Sequence, residues 1–165
     1  MLTIGTVNFN SADLIAEILR AVDLLTVSEW KMVVCDNGSK TSDINKLEKA
    51  VRCYSNVSLI KRKQTEIGSH GHAEGLNVLR KYFNTRYGVL LDSDCIPLAY
   101  GWDELLIRRL SSSIKIVGTP VASNSPGMIK RDKSFPLMFL CLIDNVAVPI
   151  TKIDTETSAE RIYLV

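Results

Sequence analysis

The stretch that decides the fold is a short apolar run ending in two acidic residues, Gly88-Val89-Leu90-Leu91-Asp92-Ser93-Asp94. The apolar run predicts a buried strand, and residues i and i+2 of a strand point to the same side. At about 6–7 Å and an effective dielectric of about 20, Asp92 and Asp94 repel each other by about 2–3 kcal/mol. A cation such as Mn2+ or Mg2+ offsets this repulsion and commonly brings a phosphate. The alternative is a solvated acidic turn.

Strand and helix patterns alternate on both sides of this stretch. Strand patterns cover residues 2–7, 31–35, 57–60, 88–91 and 114–117. Helix patterns begin after capping positions at Ser11, Thr41 or Ser42, and Ser69, and a further one covers 102–110. This alternation predicts right-handed βαβ units and an α/β fold, a three-layer α/β/α sandwich with a mostly parallel sheet.

The second half of the chain is less regular. The composition between Ala122 and Ser134 changes to Ser, Asn, Pro, Gly and Lys, which predicts a mobile loop. Residues 137–143 then predict one more strand, at an edge of the sheet or antiparallel to it. The closing apolar residues 162–165 are followed by no terminator, which predicts a fragment or a minimal version of a longer protein.

Composition limits the class of protein. With 165 residues, 46% hydrophobic and 23% charged, the chain has the length and balance of one globular domain. The net charge is +2 with dispersed Lys and Arg, a pattern that does not suggest a nucleic-acid partner. The four cysteines form no CxxC, so we expect reduced thiols. Because no signal peptide or transmembrane stretch is recognisable, the sequence predicts a soluble cytoplasmic protein.

Three polar clusters follow predicted strands, at the edge where open parallel sheets bind their ligands. They begin at Asn8, at Asp36 and at Asp92. Phe9 offers a face on which a nucleotide base can stack, and Asp36 can accept hydrogen bonds from a base or ribose. The alternatives are a core position for Phe9 and a simple turn at Asp36. Together the clusters predict a nucleotide site.

The quoted motifs resemble those of family 2 glycosyltransferases with the GT-A fold. The resemblance covers roughly residues 2 to 120 and rests on four segments in order, Val7–Leu14, Val33–Ser39, Ser69–Asn77 and Leu90–Asp94. It implies a metal-dependent, inverting transfer of a sugar from a nucleotide-diphosphate donor to an acceptor hydroxyl. The acceptor is an unknown carbohydrate, lipid or protein.

The resemblance also implies roles for single residues. Asp92 and Asp94 would bind Mn2+ or Mg2+, and the nucleotide-sugar would contact Asn8, Phe9, Asp36, His72, Asp92 and Ser93. His72 is included because it lies near a predicted helix start, where a side chain can donate to a phosphate. Its alternatives are a surface histidine or, with His70, a zinc ligand.

The general base is expected in the second half of the chain. Only 71 residues follow Asp94, and they offer Asp144, Asp154 and Glu156. We assign the base to Asp154, whose alternative is an exposed acid in the tail. The chain would then be a single domain over 1–165, with a nucleotide-sugar-binding half at 1–120 and a partial acceptor-side segment at 121–165.

Two other classes of function stay open on the sequence. One is a nucleotide-sugar-binding module without turnover. The other is a nucleotidyltransferase, which is less consistent because its Gly-rich, Lys- or Arg-bearing loop is missing after the first strand. A dinucleotide-binding dehydrogenase is disfavoured because no GxGxxG follows that strand.

Overall fold

A computed structural model of the chain describes residues 1–63, 65–66, 68–119 and 137–148. Within these ranges the strands are β1 Leu2–Asn8, β2 Trp30–Asn37, β3 Val57–Arg62, β4 Tyr87–Leu91, β5 Ile116–Thr119 and β6 Leu137–Asp144. The helices are α1 Ala12–Leu25, α2 Thr41–Val51, α3 Gly68–Leu79 and α4 Trp102–Ile107, and α3 continues into a 3-10 turn at Arg80–Tyr82. The loop predicted at 122–134 lies outside the described residues.

The strands form one mixed sheet in the order β3-β2-β1-β4-β6-β5. Neighbouring strands from β3 to β4 are parallel, whereas β6 runs antiparallel to both β4 and β5. The predicted α/β sandwich with a mostly parallel sheet is therefore confirmed. The predicted antiparallel strand also forms, but it lies between two other strands and not at an edge. Cys141, Leu142 and Ile143 are all fully buried there, because both faces of β6 are covered.

Apolar side chains cover the sheet on both faces and make three layers. One core joins α1, α2 and α4 to the sheet through residues such as Ile15, Leu47 and Trp102. The opposite core joins α3 to it through Leu79 and Phe83. Strand β1 is buried along its whole length, as expected for a central parallel strand covered on both sides.

Two glycines allow α3 and the segment after it to approach β1 closely. A Cβ at Gly75 would lie 2.8 Å from Val7 Cγ1, and one at Gly5 would lie 2.7 Å from Phe83 Cζ. Helix α3 begins at Gly68, whose φ is +59°, so Ser69 lies inside the helix and not at the predicted capping position.

The first three strands extend further into the polar clusters than their apolar patterns predict. The parallel register continues to Asn8 opposite Asp36 and to Asn37 opposite Arg62. The polar side chains at these positions bond to each other across the strands, so residues that commonly end strands are kept in the ladder.

None of the helices in the described ranges has the length and apolar character needed to cross a membrane. The four cysteines are free, as expected. Burial raises the pKa of Cys35 to about 11 and that of Cys141 to about 12, so both thiols are protonated near neutral pH.

Candidate functional site

The three polar clusters meet at one edge of the sheet, as the sequence predicts. Asn8, Asp36 and Asp92 stand at the carboxyl ends of the neighbouring strands β1, β2 and β4. From β1 the chain proceeds outward to β2 and β3, and then returns through α3 to β4 on the other side of β1. Strands β1 and β4 therefore flank a topological switch point, which is where open α/β sheets bind ligands.

The Asn8 side chain is fully buried and organises the β1 end of this edge. Its Nδ2 donates toward Asp36 Oδ1 at 2.9 Å, Ser39 Oγ at 3.0 Å and Asp43 Oδ2 at 3.0 Å. Its Oδ1 accepts from the backbone N–H and the hydroxyl of Ser11. The Asp36 and Asp43 oxygens lie no more than about 6 Å apart, and their repulsion, about 3 kcal/mol at a dielectric of 20, is offset by this shared donor.

Asp36 is 1% exposed, and both of its carboxylate oxygens accept hydrogen bonds from the protein. Besides Asn8, the backbone N–H of Ser39 donates to it at 3.3 Å. Asp36 is therefore part of a buried network, and its bond from Ser39 also closes a turn at Gly38, whose φ is 82°. Its predicted contact with a base or ribose stays a prediction.

Two loops at this edge hold each other, and Phe9 lies at their tip. The backbone N–H of Asn10 donates to Ser39 Oγ at 2.8 Å, and the backbone N–H of Lys40 donates to Asn10 Oδ1 at 2.9 Å. Asn10 has a φ of 55°, a left-handed conformation that asparagine tolerates better than most residues. Phe9 is 52% exposed, so it is not a core residue and its ring is accessible to a ligand.

Asp92 and Asp94 lie together after β4, with Asp92 half-buried and Asp94 exposed. Burial, together with the charge of Asp94, raises the pKa of Asp92 to about 6. The smaller part of this shift, which comes from Asp94, is the repulsion expected from the sequence. Negative charge is thus concentrated on two oxygen-bearing side chains, the donor set that Mn2+ and Mg2+ prefer. Among the described residues, no group of three His, Cys, Asp or Glu is placed to hold a metal ion.

His72 is brought to the same place by α3. Its Nε2 lies 3.6 Å from Asp92 Oδ1, and its side chain is 41% exposed. Partial burial lowers the pKa of His72, so the imidazole is neutral near pH 7 and the contact is not an ion pair. Ser93 lies in the turn between the two acids and is half-buried.

A second network that the sequence reasoning missed fixes the start of α3. Arg62 donates to Asn37 Oδ1 and forms an ion pair with Glu74 at 3.0 Å. Glu74 also accepts from Thr65 and from the backbone N–H of Glu66, and Asn37 Nδ2 donates to the carbonyl of Gly71. Arg62 lies in the basic run Lys61-Arg62-Lys63, yet its side chain is only 17% exposed. The pairing of Arg62 with Asn37 in neighbouring strands indicates that Arg62 takes part in this network.

Of the three candidate general bases, only Asp144 lies within the described residues. Asp154 and Glu156 lie outside the described residues. Asp144 ends β6, and the antiparallel pairing places it opposite Tyr87, at the amino end of β4 and so at the far edge from Asp92. There it accepts from the backbone of Val146 and lies 3.9 Å from Arg86. Asp144 is therefore excluded as a base for chemistry near Asp94.

A cleft of about 320 Å³ lies at the amino ends of β2 and β3, lined by residues such as Lys31, Ser58 and Tyr82. None of the predicted site residues lines it. The polar edge at the opposite end of the strands has the stronger claim to be the functional site, because the half-buried carboxylates and the buried amide network lie there.

The sheet order and this edge define the chain as an open α/β domain with polar side chains gathered at its switch point. The chain belongs to glycosyl transferase family 2, whose family model matches residues 3–152. No curated protein sequence matches the chain significantly.

Solved structures share the fold at low sequence identity. The mannosyltransferase PcManGT from Pyrobaculum calidifontis, in complex with GDP-Man and Mn2+, is 17% identical with a TM-score of 0.72, over 96% of this chain and 49% of that one. S. aureus TarS 1-349 is 18% identical with a TM-score of 0.67, over 96% of this chain and 52% of that one. Glucosyl-3-phosphoglycerate synthase from Mycobacterium tuberculosis, in complex with UDP, is 14% identical with a TM-score of 0.61, over 90% and 58%. The chain thus spans about half the length of these three solved chains.

Proposed function

We propose that this domain binds a nucleotide-diphosphate sugar with a divalent cation and transfers the sugar, with inversion, to an acceptor hydroxyl. The observation that carries the proposal is the placement of the Asn8–Asp36 pair and the Asp92–Asp94 pair on either side of the switch point. Family membership supports it, as do the GDP-Man and Mn2+ of PcManGT and the UDP-GlcNAc of a TarS complex.

The base and ribose would occupy the end of the edge formed by β1 and β2. The exposed ring of Phe9 would stack on the base, where such stacking contributes about 1–3 kcal/mol. Asn8 and Asp36 would fix that end of the nucleotide, directly or through the loops that they hold.

The diphosphate would lie toward β4. Asp92 and Asp94 would hold Mn2+ or Mg2+, which would supply charge stabilisation for the leaving diphosphate. Ser93 and neutral His72 would each offer a donor to phosphate oxygens beside that ion. His72 would also keep water away from the buried side of Asp92.

We assign deprotonation of the acceptor hydroxyl to Asp154, in the proposed acceptor-side segment 121–165. A general base must lie within about 3 Å of the proton that it removes. Asp154→Asn is expected to abolish transfer and leave nucleotide affinity unchanged. Unchanged turnover in this variant would remove Asp154 from the mechanism.

A thermal-shift panel tests the donor site. UDP, GDP, dTDP and CDP are each added with Mn2+, with Mg2+ or with EDTA to the wild type and to Asp94→Ala, with Asp23→Ala as a control for an exposed carboxylate on α1. A ligand at about 100 times its Kd stabilises the native state by about 2.7 kcal/mol. We expect one nucleotide to shift the Tm only with metal, in the wild type and the control but not in Asp94→Ala.

The panel also separates the other functions. The absence of a shift with all four nucleotides would contradict the proposal. A metal-dependent shift without hydrolysis or transfer of the matching nucleotide-sugar would instead select a binding module without turnover.

A further inference from the structure

The carboxylate of Asp43 joins three segments at the polar edge, although it belongs to neither the strand ends nor the metal-binding pair. It lies in the first turn of α2. Its Oδ2 accepts from Asn8 Nδ2 at 3.0 Å, and its Oδ1 accepts from the backbone N–H of Ala12 at 3.0 Å. A residue of α2 therefore bonds both the last side chain of β1 and the first residue of α1.

Asp43 satisfies a need that α1 cannot meet by itself. The first N–H groups of a helix have no partner within it, and an acceptor at the N-cap commonly supplies one. Ser11 occupies that position, but its hydroxyl donates to Asn8 Oδ1 and makes no capping hydrogen bond. The negative charge of Asp43 also lies favourably at the positive end of the α1 dipole.

The same carboxylate fixes the orientation of the Asn8 amide. Nδ2 carries two hydrogens, and acceptors on Asp36, Ser39 and Asp43 all lie within 3.0 Å of it. A flipped amide would place its oxygen against two carboxylates and its nitrogen against the N–H of Ser11. Asp36 and Asp43 thus permit only one orientation.

The segment between these contacts is the loop that carries Phe9. Asp43 holds Asn8 at one end of the loop and Ala12 at the other, so only residues 9–11 lie between its two hydrogen bonds. We infer that Asp43 is a positioning residue for the nucleobase end of the donor site, acting through the Asn8 amide and the start of α1 to hold Phe9 in place. The inference rests on the proposed function.

The experiment measures nucleotide and pyrophosphate affinity by calorimetry with Mn2+. The nucleotide is the diphosphate that the thermal-shift panel selects, and the variants are Asp43→Asn and Asp43→Ser. Asp13→Asn is the matched control, since Asp13 also links α1 to α2, through Lys46 at 2.6 Å, but is 79% exposed. We expect the Asp43 variants to weaken nucleotide binding about tenfold and pyrophosphate binding by less than about twofold, with the control unchanged.

A double-mutant cycle separates positioning from a general structural role. If Asp43 acts through Phe9, Asp43→Asn will have little further effect on nucleotide affinity in a Phe9→Ala background, although each single change weakens binding. Asp43→Ser keeps a hydroxyl in the first turn of α2, and thus provides a folded variant if Asp43→Asn is unstable.

The outcomes are distinct. If the Asp43 variants bind the nucleotide as the wild type does, or lose pyrophosphate and nucleotide equally, or show additive effects with Phe9→Ala, the positioning role is overturned while nucleotide binding stands. If the wild type binds none of the four diphosphates, both the proposed function and this inference are overturned.

Discussion

His72 Nε2 lies 3.6 Å from Asp92 Oδ1, across the space between α3 and the end of β4. Both groups are shifted toward their neutral forms, because burial lowers the pKa of His72 and raises that of Asp92 to about 6, with the charge of Asp94 adding to the latter. The pair therefore does not neutralise the acidic edge. Asp92 is still mostly charged at pH 7, above its pKa of about 6, and this charge costs stability.

That cost predicts that Asp92→Asn is more stable than the wild type at pH 7 in EDTA. The pKa of Asp92 is raised in the folded state from 3.8, so the folded state binds the proton more tightly and stability falls as pH rises between about 4 and 6. We expect a gain of at most about 3 kcal/mol at pH 7, shrinking toward pH 4. Urea unfolding of both proteins across this pH range measures it.

His72 titrates in an overlapping range with the opposite sign, since its lowered pKa costs stability as pH falls through about 6.5. Because His72 contacts Asp92, its contribution differs between the two proteins, so the comparison is made in a His72→Asn background, where it is absent. A difference that does not depend on pH would contradict the assignment to Asp92.

Two buried threonines of β1 are expected to respond oppositely to replacement by valine. Thr3 and Thr6 are both 0% exposed. Thr3 Oγ1 bonds Thr85 Oγ1 at 2.7 Å, whereas Thr6 Oγ1 has no hydrogen-bond partner among the described residues. Because an unsatisfied buried hydroxyl costs about 1–3 kcal/mol, Thr6→Val should stabilise the fold by about 1 kcal/mol and Thr3→Val should destabilise it by a similar amount. Chemical denaturation of the two variants tests this, and a loss of stability in Thr6→Val would contradict it.

The close approach of Gly5 to Phe83 predicts a strong packing effect. A methyl group at Gly5 would meet the ring at 2.7 Å, so Gly5→Ala should cost about 1–3 kcal/mol. Combining it with Phe83→Leu should recover part of this loss, because the smaller side chain gives the methyl group room. The free energies of unfolding of the two single variants and the double variant give the coupling. Additive losses of stability would show that Gly5→Ala does not act through its contact with Phe83.

Asp103 is expected to anchor α4 to the end of α1. It is fully buried and accepts from the backbone N–H groups of Val27 and Ser28 at 3.1 and 2.9 Å. Burial alone would raise its pKa, but the hydrogen bonds from Ser28 and Val27 outweigh burial and the pKa is lowered. Its contribution is therefore present above about pH 4 and is lost as pH falls further.

Asp103→Asn should consequently cost about 1–3 kcal/mol at pH 7, with a smaller difference from the wild type in acid. Glu104→Gln is the control, because Glu104 makes only an exposed pair with Arg108 among the described contacts, and such pairs contribute little. Equal effects of the two substitutions in denaturant titrations would refute the anchoring role.

The sequence predicts the sheet and its functional edge well, for a local reason. An apolar run such as 88–91 is buried wherever it pairs, and the polar residues after it fall at the carboxyl end of a parallel strand. The alternation of strands and helices therefore brings together Asn8, Asp36 and Asp92, and this alternation can be predicted from short stretches of sequence. The family also follows from the order of these segments.

Other features depend on contacts between distant segments. The place of β6 between β4 and β5 depends on which strand edges are free after the parallel strands have paired. The apolar pattern of a segment does not identify the strands with which it pairs. The hydrogen-bond partners of Asp43, Arg62 and Asp103 lie in other segments of the chain. The local sequence pattern therefore predicts only charged surface residues at these positions.

The sequence by itself determined the layers of the fold and the edge where polar side chains collect, because burial and strand direction follow from local patterns of residues. The tertiary structure alone decided which of those side chains bond each other, that Asp92 is half-buried beside Asp94, and that Asp144 lies at the opposite edge of the sheet from Asp92. Hydrogen bonds and charge interactions act over a few ångströms in space, and only the packed sheet sets those distances.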